Sequence, residues 1–155
     1  MTKIVNYDTN KTMKLSTKST YGLRAMLNIA LDFKRGAVSI ADISEKEGIS
    51  VAYLEQLLNR LRRKGLVDSV RGPKGGYVLA KAPADITVRD VVKTLEGEIS
   101  PVHCVATQKG VRAFCKRKTG CVPKVVWVKL AKAISDCLGS ITLEDLCLEA
   151  KKVGG

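Results

Sequence analysis

The sequence predicts a mainly α fold with a small β wing: a winged helix-turn-helix domain followed by a long helix suited to dimerisation. Three observations carry this. The stretch Ile49–Lys64, ISVAYLEQLLNRLRRK, repeats large apolar residues at three- and four-residue steps. A short helical stretch, Ile40–Gly48, precedes it across a tight turn. Two short segments of strand character flank the turn Gly72-Pro73-Lys74-Gly75-Gly76 after it.

Within the first stretch, Ser50 supplies a hydroxyl that can accept from the unpartnered amides of a helix start. Val51, Leu54, Leu57, Leu58 and Leu61 then fall on one stripe, predicted to be buried. The opposite face carries Tyr53, Glu55, Gln56, Asn59, Arg60, Arg63 and Lys64, the amide, carboxylate and guanidinium chemistry that reads base edges or grips phosphates. Gly48 and Gly65 punctuate the two helices, and Leu66–Val70 and Tyr77–Leu79 form a hairpin with Arg71 and Lys74 at its tip. A helix-turn-helix over 40–64 and a wing over 66–80 follow. The candidate DNA contacts are Ser50, Ala52, Tyr53, Glu55, Gln56, Asn59, Arg60, Arg63, Arg71, Lys74 and Gly75.

Charge agrees with that reading. In 155 residues, 27 basic side chains face 15 acidic ones, a formal charge of +12, which draws a chain to polyanions, nucleic acid before acidic membrane. No apolar run approaches the roughly 18 residues a spanning helix needs, and MTKIVNYDTNKTM has no apolar signal core, so no membrane partner and a cytoplasmic location are expected. The length suits one domain plus an appended helix. There is no CxxC, no nucleotide-binding glycine pattern and no nucleophile with a paired histidine, which argues against an enzyme.

In chain order, residues 1–12 read as a disordered tail and 13–97 as the winged-helix domain. A first helix is expected over Ser16–Lys34, with Leu23, Met26, Leu27 and Ala30 on one face and Gly36 as its stop. Its start, Ser16, Thr17, Lys18 and Ser19, suits either ordinary capping or a DNA phosphate. Val38-Ser39-Ile40 is expected to add a short strand beside the wing. Thr87 and Asp90 form a capping-box pair for a helix over Val88–Glu96, whose Val88, Val91, Val92 and Leu95 face the core and which ends at Gly97.

Residues 98–123 are expected to form an irregular loop. From Ile99 to Ser135 there is no acidic residue, while Lys109, Arg112, Lys116, Arg117, Lys118, Lys124, Lys129 and Lys132 are all cationic. Cys104, Cys115 and Cys121 lie in its first part, separated by ten and by five residues. In a reducing cytoplasm such cysteines suit free thiols, metal ligands or redox sensors better than a disulfide framework, and on spacing alone a metal site and free thiols remain alternatives. Soft thiolates bind iron and zinc, and nearby cations favour the thiolate form. Residues 124–152 give a strongly apolar helix through Val125, Val126, Trp127, Leu130, Ile134 and Leu138, then a last short helix over Thr142–Lys152. A second copy of the chain would cover that face, making a homodimer that binds paired half-sites on a DNA operator. Cys137 and Cys147 fall on apolar helix faces and are expected in the core.

The run ADISEKEGISVAYLEQLLNRLRRKGLVDSVRGPKGGYVL, with MKLSTKSTYGLRAML before it and three cysteines after it, resembles the bacterial repressors typified by the iron-sulfur cluster assembly regulator and the nitric-oxide-sensing repressor. The similarity spans about Met13 to Glu149. It implies a homodimeric repressor, a second helix in the major groove, a wing at the adjacent minor groove, and an iron-sulfur cluster, 2Fe-2S or 4Fe-4S, held by Cys104, Cys115 and Cys121. Two departures stand out. The first cysteine gap is longer than in those relatives, and Lys124 stands where the assembly regulator has a histidine ligand. A protonated lysine cannot ligate, which leaves the fourth position to His103, a carboxylate of the partner chain or a small exogenous ligand. The alternative is a cluster-free regulator of the cysteine-metabolism type, controlled by thiol oxidation, zinc or a partner protein.

Overall fold

The computed structural model describes residues 15–102, 105 and 120–154. In order these form α1 (Thr17–Leu31), α2 (Ile40–Glu47), α3 (Val51–Arg63), β1 (Val67–Val70), β2 (Gly76–Leu79), a 3-10 turn (Pro83–Asp85), α4 (Val88–Glu96), α5 (Lys124–Gly139) and α6 (Leu143–Val153). Every helix expected from periodicity is present. The chain divides into two compact units: one comprises Leu15–Gly97 and Ser135–Gly155, and the described part of the other lies within Glu98–Ile134.

The first unit is built on one apolar core. Met26 and Ile29 of α1, Ile43 of α2, Leu54, Leu57, Leu58 and Leu61 of α3, Val67 of β1 and Val91 and Leu95 of α4 are essentially inaccessible. Leu143 of α6 is buried with them, so the chain returns to the winged helix after α5. That return is sealed by backbone hydrogen bonds: Val88 N–H donates to Ile141 O at 2.8 Å and Leu143 N–H to Ile86 O at 2.9 Å. The capping boxes at Thr87/Asp90 and Thr142/Asp145 start α4 and α6 side by side, their caps joined by a β-bridge.

Several boundaries differ from expectation. Helix α1 ends at Leu31, not Lys34, because Asp32 already has the C-cap role and the chain turns through Asp32–Arg35 before Gly36. Val38 makes only an isolated bridge, exchanging backbone hydrogen bonds with Tyr77, since Ser39 caps α2 and Ile40 is already helical. Gly76 permits that approach: a Cβ there would lie 2.1 Å from Val38 O. Val51, assigned to the buried stripe of α3, is 40% exposed because it occupies the first helical position, ahead of the turn that meets the core.

Candidate nucleic-acid interface

Helices α2 and α3 are locked into their angle by short-range polar contacts as well as by the core. Gly48 adopts φ 66°, the left-handed turn that ends α2, and Ile49 is buried immediately after it. The Ser44 hydroxyl donates to Ile49 O at 2.7 Å, closing the turn. Asn28, a buried polar residue of α1, donates through Nδ2 to Glu47 Oε1 at 2.7 Å and to Arg24 O at 2.9 Å, holding the end of α2 against α1. The Asn28–Glu47 contact follows no periodicity that would reveal it in the sequence.

On the outward face of α3, Ala52, Glu55, Gln56 and Arg63 are exposed, and Asn59 is half-buried. Ser50 is exposed and caps the helix, its hydroxyl accepting from Tyr53 N–H at 3.4 Å. Tyr53 is half-buried because its ring packs edge-on against Tyr21 of α1, centroids 5.9 Å apart. Arg60 is exposed but its Nη1 donates to Leu95 O at 3.3 Å, which turns part of the guanidinium toward α4 and away from a free outer face.

The wing is a two-stranded antiparallel hairpin, paired from Val67↔Leu79 to Val70↔Gly76. Arg71 and Lys74 are exposed at its tip. Gly75 has a reason of its own for being glycine: an added Cβ would sit 2.4 Å from Val70 O and 2.8 Å from Gly72 O, so only glycine closes this tip. Arg62, absent from the predicted set, donates through Nη1 to Ser69 Oγ at 3.1 Å and ties the last turn of α3 to β1. Among the described residues, none of Arg60, Arg62, Arg63, Lys64, Arg71 and Lys74 is paired with a carboxylate. Arg63, Lys64, Arg71 and Lys74 are exposed to solvent, where a polyanion can meet them.

The start of α1 resolves the choice between capping and phosphate. Ser16 Oγ accepts from Lys18 N–H at 3.2 Å, and Glu96 Oε1 takes hydrogen bonds from Ser16 N–H at 3.0 Å, from the Ser16 hydroxyl and from the Ser19 hydroxyl at 2.8 Å. A carboxylate of the protein itself occupies this helix end and repels a phosphate. Burial raises the Glu96 pKa, but the hydrogen bonds from Ser16 and Ser19 outweigh it and hold the carboxyl below the ordinary glutamate range.

Of the cysteines, Cys121 is half-buried in the turn that leads into α5, its carbonyl accepting from Lys124 N–H at 3.2 Å. Cys104, Cys115 and His103 lie outside the described residues, as do residues 1–12 of the expected tail. Cys137 is exposed, so its expected place in the core fails in the single chain, where α5 has no buried residue, whereas Cys147 is half-buried and packs against the core of the winged-helix unit. Burial raises the Cys147 thiol pKa above its ordinary value, which disfavours the thiolate. Among the described residues no helix is long and apolar enough to cross a membrane.

Helix-turn-helix, hairpin wing and unpaired cations define a winged-helix DNA-binding protein. The family described as Rrf2, iron-dependent transcriptional regulator, matches residues 15–149. The HTH-type transcriptional regulator IscR of Pectobacterium carotovorum is 42% identical over 134 residues, covering 86% of this chain and 79% of that one. Among solved structures, CymR, the global cysteine regulator of B. subtilis, aligns with TM-score 0.75 at 37% identity over 89% of this chain and 98% of that one. IscR of T. potens aligns with TM-score 0.73 at 41% identity, covering 91% and 90%. The chain belongs to the Rrf2 family. It is a DNA-binding transcriptional regulator, and its relatives are regulators, not enzymes.

Proposed function

We propose that the chain acts as a homodimeric repressor whose operator binding is governed by an iron-sulfur cluster on Cys104, Cys115 and Cys121. The observation that carries the DNA half of this reading is the joint exposure of the polar face of α3 and the cationic wing tip on one compact unit. Glu55, Gln56 and Asn59, with Ala52 and Tyr53 beside them, read base edges in the major groove. Arg63, Arg71 and Lys74 take phosphates or the adjacent minor groove, Ser50 lies at the helix start, and Gly75 lets the tip come close. Base readout supplies specificity and phosphate contact supplies affinity.

Dimerisation is supported by two apolar surfaces left open on the single chain. Val125, Val126, Val128 and Leu130 of α5 are all exposed, Val126 by 58%. The winged-helix unit carries a groove of about 380 Å³ lined by Leu15, Leu23, Leu27, Val88, Val92 and Leu146, among others. A lone protein seldom leaves two such surfaces to water, and a second copy covers both.

Cluster binding is supported by the chemistry of the donor set. Three soft thiolates in a segment without a carboxylate suit iron, and the cations among them compensate the negative charge of a thiolate-bound cluster. Such a group supplies a centre whose gain, loss or oxidation changes the charge and constraint of the segment that holds it. The similarity to IscR proteins supports this reading, and the similarity to CymR supports a second, in which the same thiols act without a cluster.

Anaerobic purification separates the two. A brown protein with iron and sulfide in stoichiometry, whose operator binding changes when oxygen or nitric oxide bleaches it, supports the cluster. A colourless protein whose binding responds to thiol oxidation or zinc refutes the cluster and supports the second reading.

A further inference from the structure

The chain leaves the winged-helix unit after Gly97 and re-enters it at Ser135, and both crossing points are fastened to α4. At the exit, three consecutive anchors hold the C-terminal end of α4. Leu95 is buried against Gly22 of α1, where an added Cβ would lie 2.1 Å from Leu95 Cδ1. The Leu95 carbonyl accepts from Arg60 of the recognition helix at 3.3 Å. Glu96 takes the first turn of α1 through Ser16 and Ser19, and Gly97 follows with φ 89°, ψ −149°, a conformation open to glycine. At the re-entry, Arg89 in the first turn of α4 donates to Ser135 O at 3.5 Å, and its guanidinium lies where a Cβ on Gly139 would fall, 2.7 Å away.

We propose that α4 transmits the state of the cysteine-bearing segment to the recognition helix, with Arg60 and Glu96 as positioning residues rather than DNA contacts. This rests on the reading that this segment governs operator binding. Both covalent joints of the segment load the same nine-residue helix. Buried and close-packed on α1 through Val91 and Leu95, α4 shifts as a rigid piece when either end is pulled. Its movement reaches α3 through the Arg60–Leu95 hydrogen bond and α1 through Glu96. A small displacement of α3 changes the angle at which its face meets the groove, and two-headed binding is steep in that geometry.

The test is a ratio of operator affinities for the full chain in two states of the segment, measured on a duplex selected by the wild-type protein from a randomised library. One pair of states is anaerobic protein with and without added iron and sulfide. The other is protein with and without N-ethylmaleimide, in a Cys137→Ala/Cys147→Ala background so that only the segment's thiols react. For wild type the ratio should be about 5–150-fold, the usual span of coupling between sites. In Glu96→Ala, in Arg60→Gln and in a variant with Gly-Ser-Gly-Ser inserted between Gly97 and Glu98, it should fall to within about twofold of one. Because each ratio compares one variant with itself, any weakening of DNA binding common to both states cancels and only transmission is read. Glu96→Gln, which keeps an acceptor for Ser16 and Ser19, should restore much of the wild-type ratio. Amide exchange in the last turn of α3 should differ between the two states in wild type and not in the insertion variant. If Glu96→Ala fails to fold, the insertion variant decides. A shift with maleimide but none with iron and sulfide refutes the cluster and leaves α4 to be judged by the variants. Full wild-type ratios in the insertion and Glu96→Ala proteins overturn the proposal, and so does a wild-type protein whose affinity moves with neither treatment.

Discussion

Helices α3 and α5 are both rich in large apolar residues, yet they spend them differently. Leu54, Leu57, Leu58 and Leu61 of α3 are at most 2% exposed, whereas none of the sixteen residues of α5 is buried. The difference follows from where each helix finds its complement. The stripe of α3 faces α1, α4 and β1 of the same chain, so the winged-helix unit is complete in one copy and its polar face is free for DNA. Helix α5 spreads valines, tryptophan and leucine over its surface, and Val125, Val126, Trp127, Val128 and Leu130 are all exposed. The fold of one copy holds the first helix, and the proposed dimer would hold the second.

The largest effect that could break this contrast is in α3. Leu58→Ala should cost about 2–5 kcal/mol, because the site is fully enclosed and relaxes only in part, and it should remove DNA binding through unfolding. Denaturant titration checks it. Trp127→Glu in α5 should behave oppositely, leaving the unfolding midpoint nearly unchanged while converting dimer to monomer, since the charge lands on a face that needs apolar contact. Sedimentation velocity reads this directly. A Trp127→Glu protein that stays a folded dimer would move α5 into the same class as α3.

Smaller effects sharpen the division of labour within the reading unit. Glu55→Ala should change base preference by about 1–3 kcal/mol at one position and leave the salt dependence of binding nearly the same as in wild type. Arg71→Ala should weaken binding to every sequence and reduce the log-log salt slope by about one unit for each phosphate that a subunit no longer neutralises. In the cysteine segment, Cys104→Ala, Cys115→Ala and Cys121→Ala should each abolish iron retention. Cys137→Ala should keep iron and, being exposed, change stability by no more than about 0.5 kcal/mol.

The smallest effect is in pH. The Glu96 carboxyl titrates lower in the fold than its ordinary value of 4.5, so its grip on α1 contributes fully above that value and is lost as pH falls through the lower, folded pKa. Wild type should therefore lose stability on acidification below about pH 4.5, and Glu96→Gln should lose less over the same interval. Parallel unfolding curves at neutral and acidic pH measure the difference.

What can be read from residue order alone tracks the range of the interactions involved. The stripe of α3, the left-handed Gly48, the capping box at Thr87 and the hairpin around Gly72–Gly76 are all set by neighbours a few positions apart, and each is legible. The strand expected at Val38–Ile40 shrinks to a single bridge because Ser39 is needed as a helix cap. Pairings between distant positions are not legible: Arg60 to Leu95, Asn28 to Glu47 and Glu96 to Ser16 follow no period, and they give these side chains partners that local pattern alone does not reveal. Arg62 escapes for the same reason, its partner Ser69 lying across the turn into the wing. Cys137 is misplaced by periodicity because an apolar helix face need not be buried within its own chain.

On the proposed function, one chain reads a half-site and a second chain, joined through α5, reads the other. Selection of bound sequences from a randomised duplex library, with no operator assumed, tests it most directly. A homodimer should select a pseudo-palindrome, two similar half-sites whose centres are separated by about one helical turn or a multiple of it. Recovery of a single asymmetric site, bound equally well by the Trp127→Glu monomer, would contradict it.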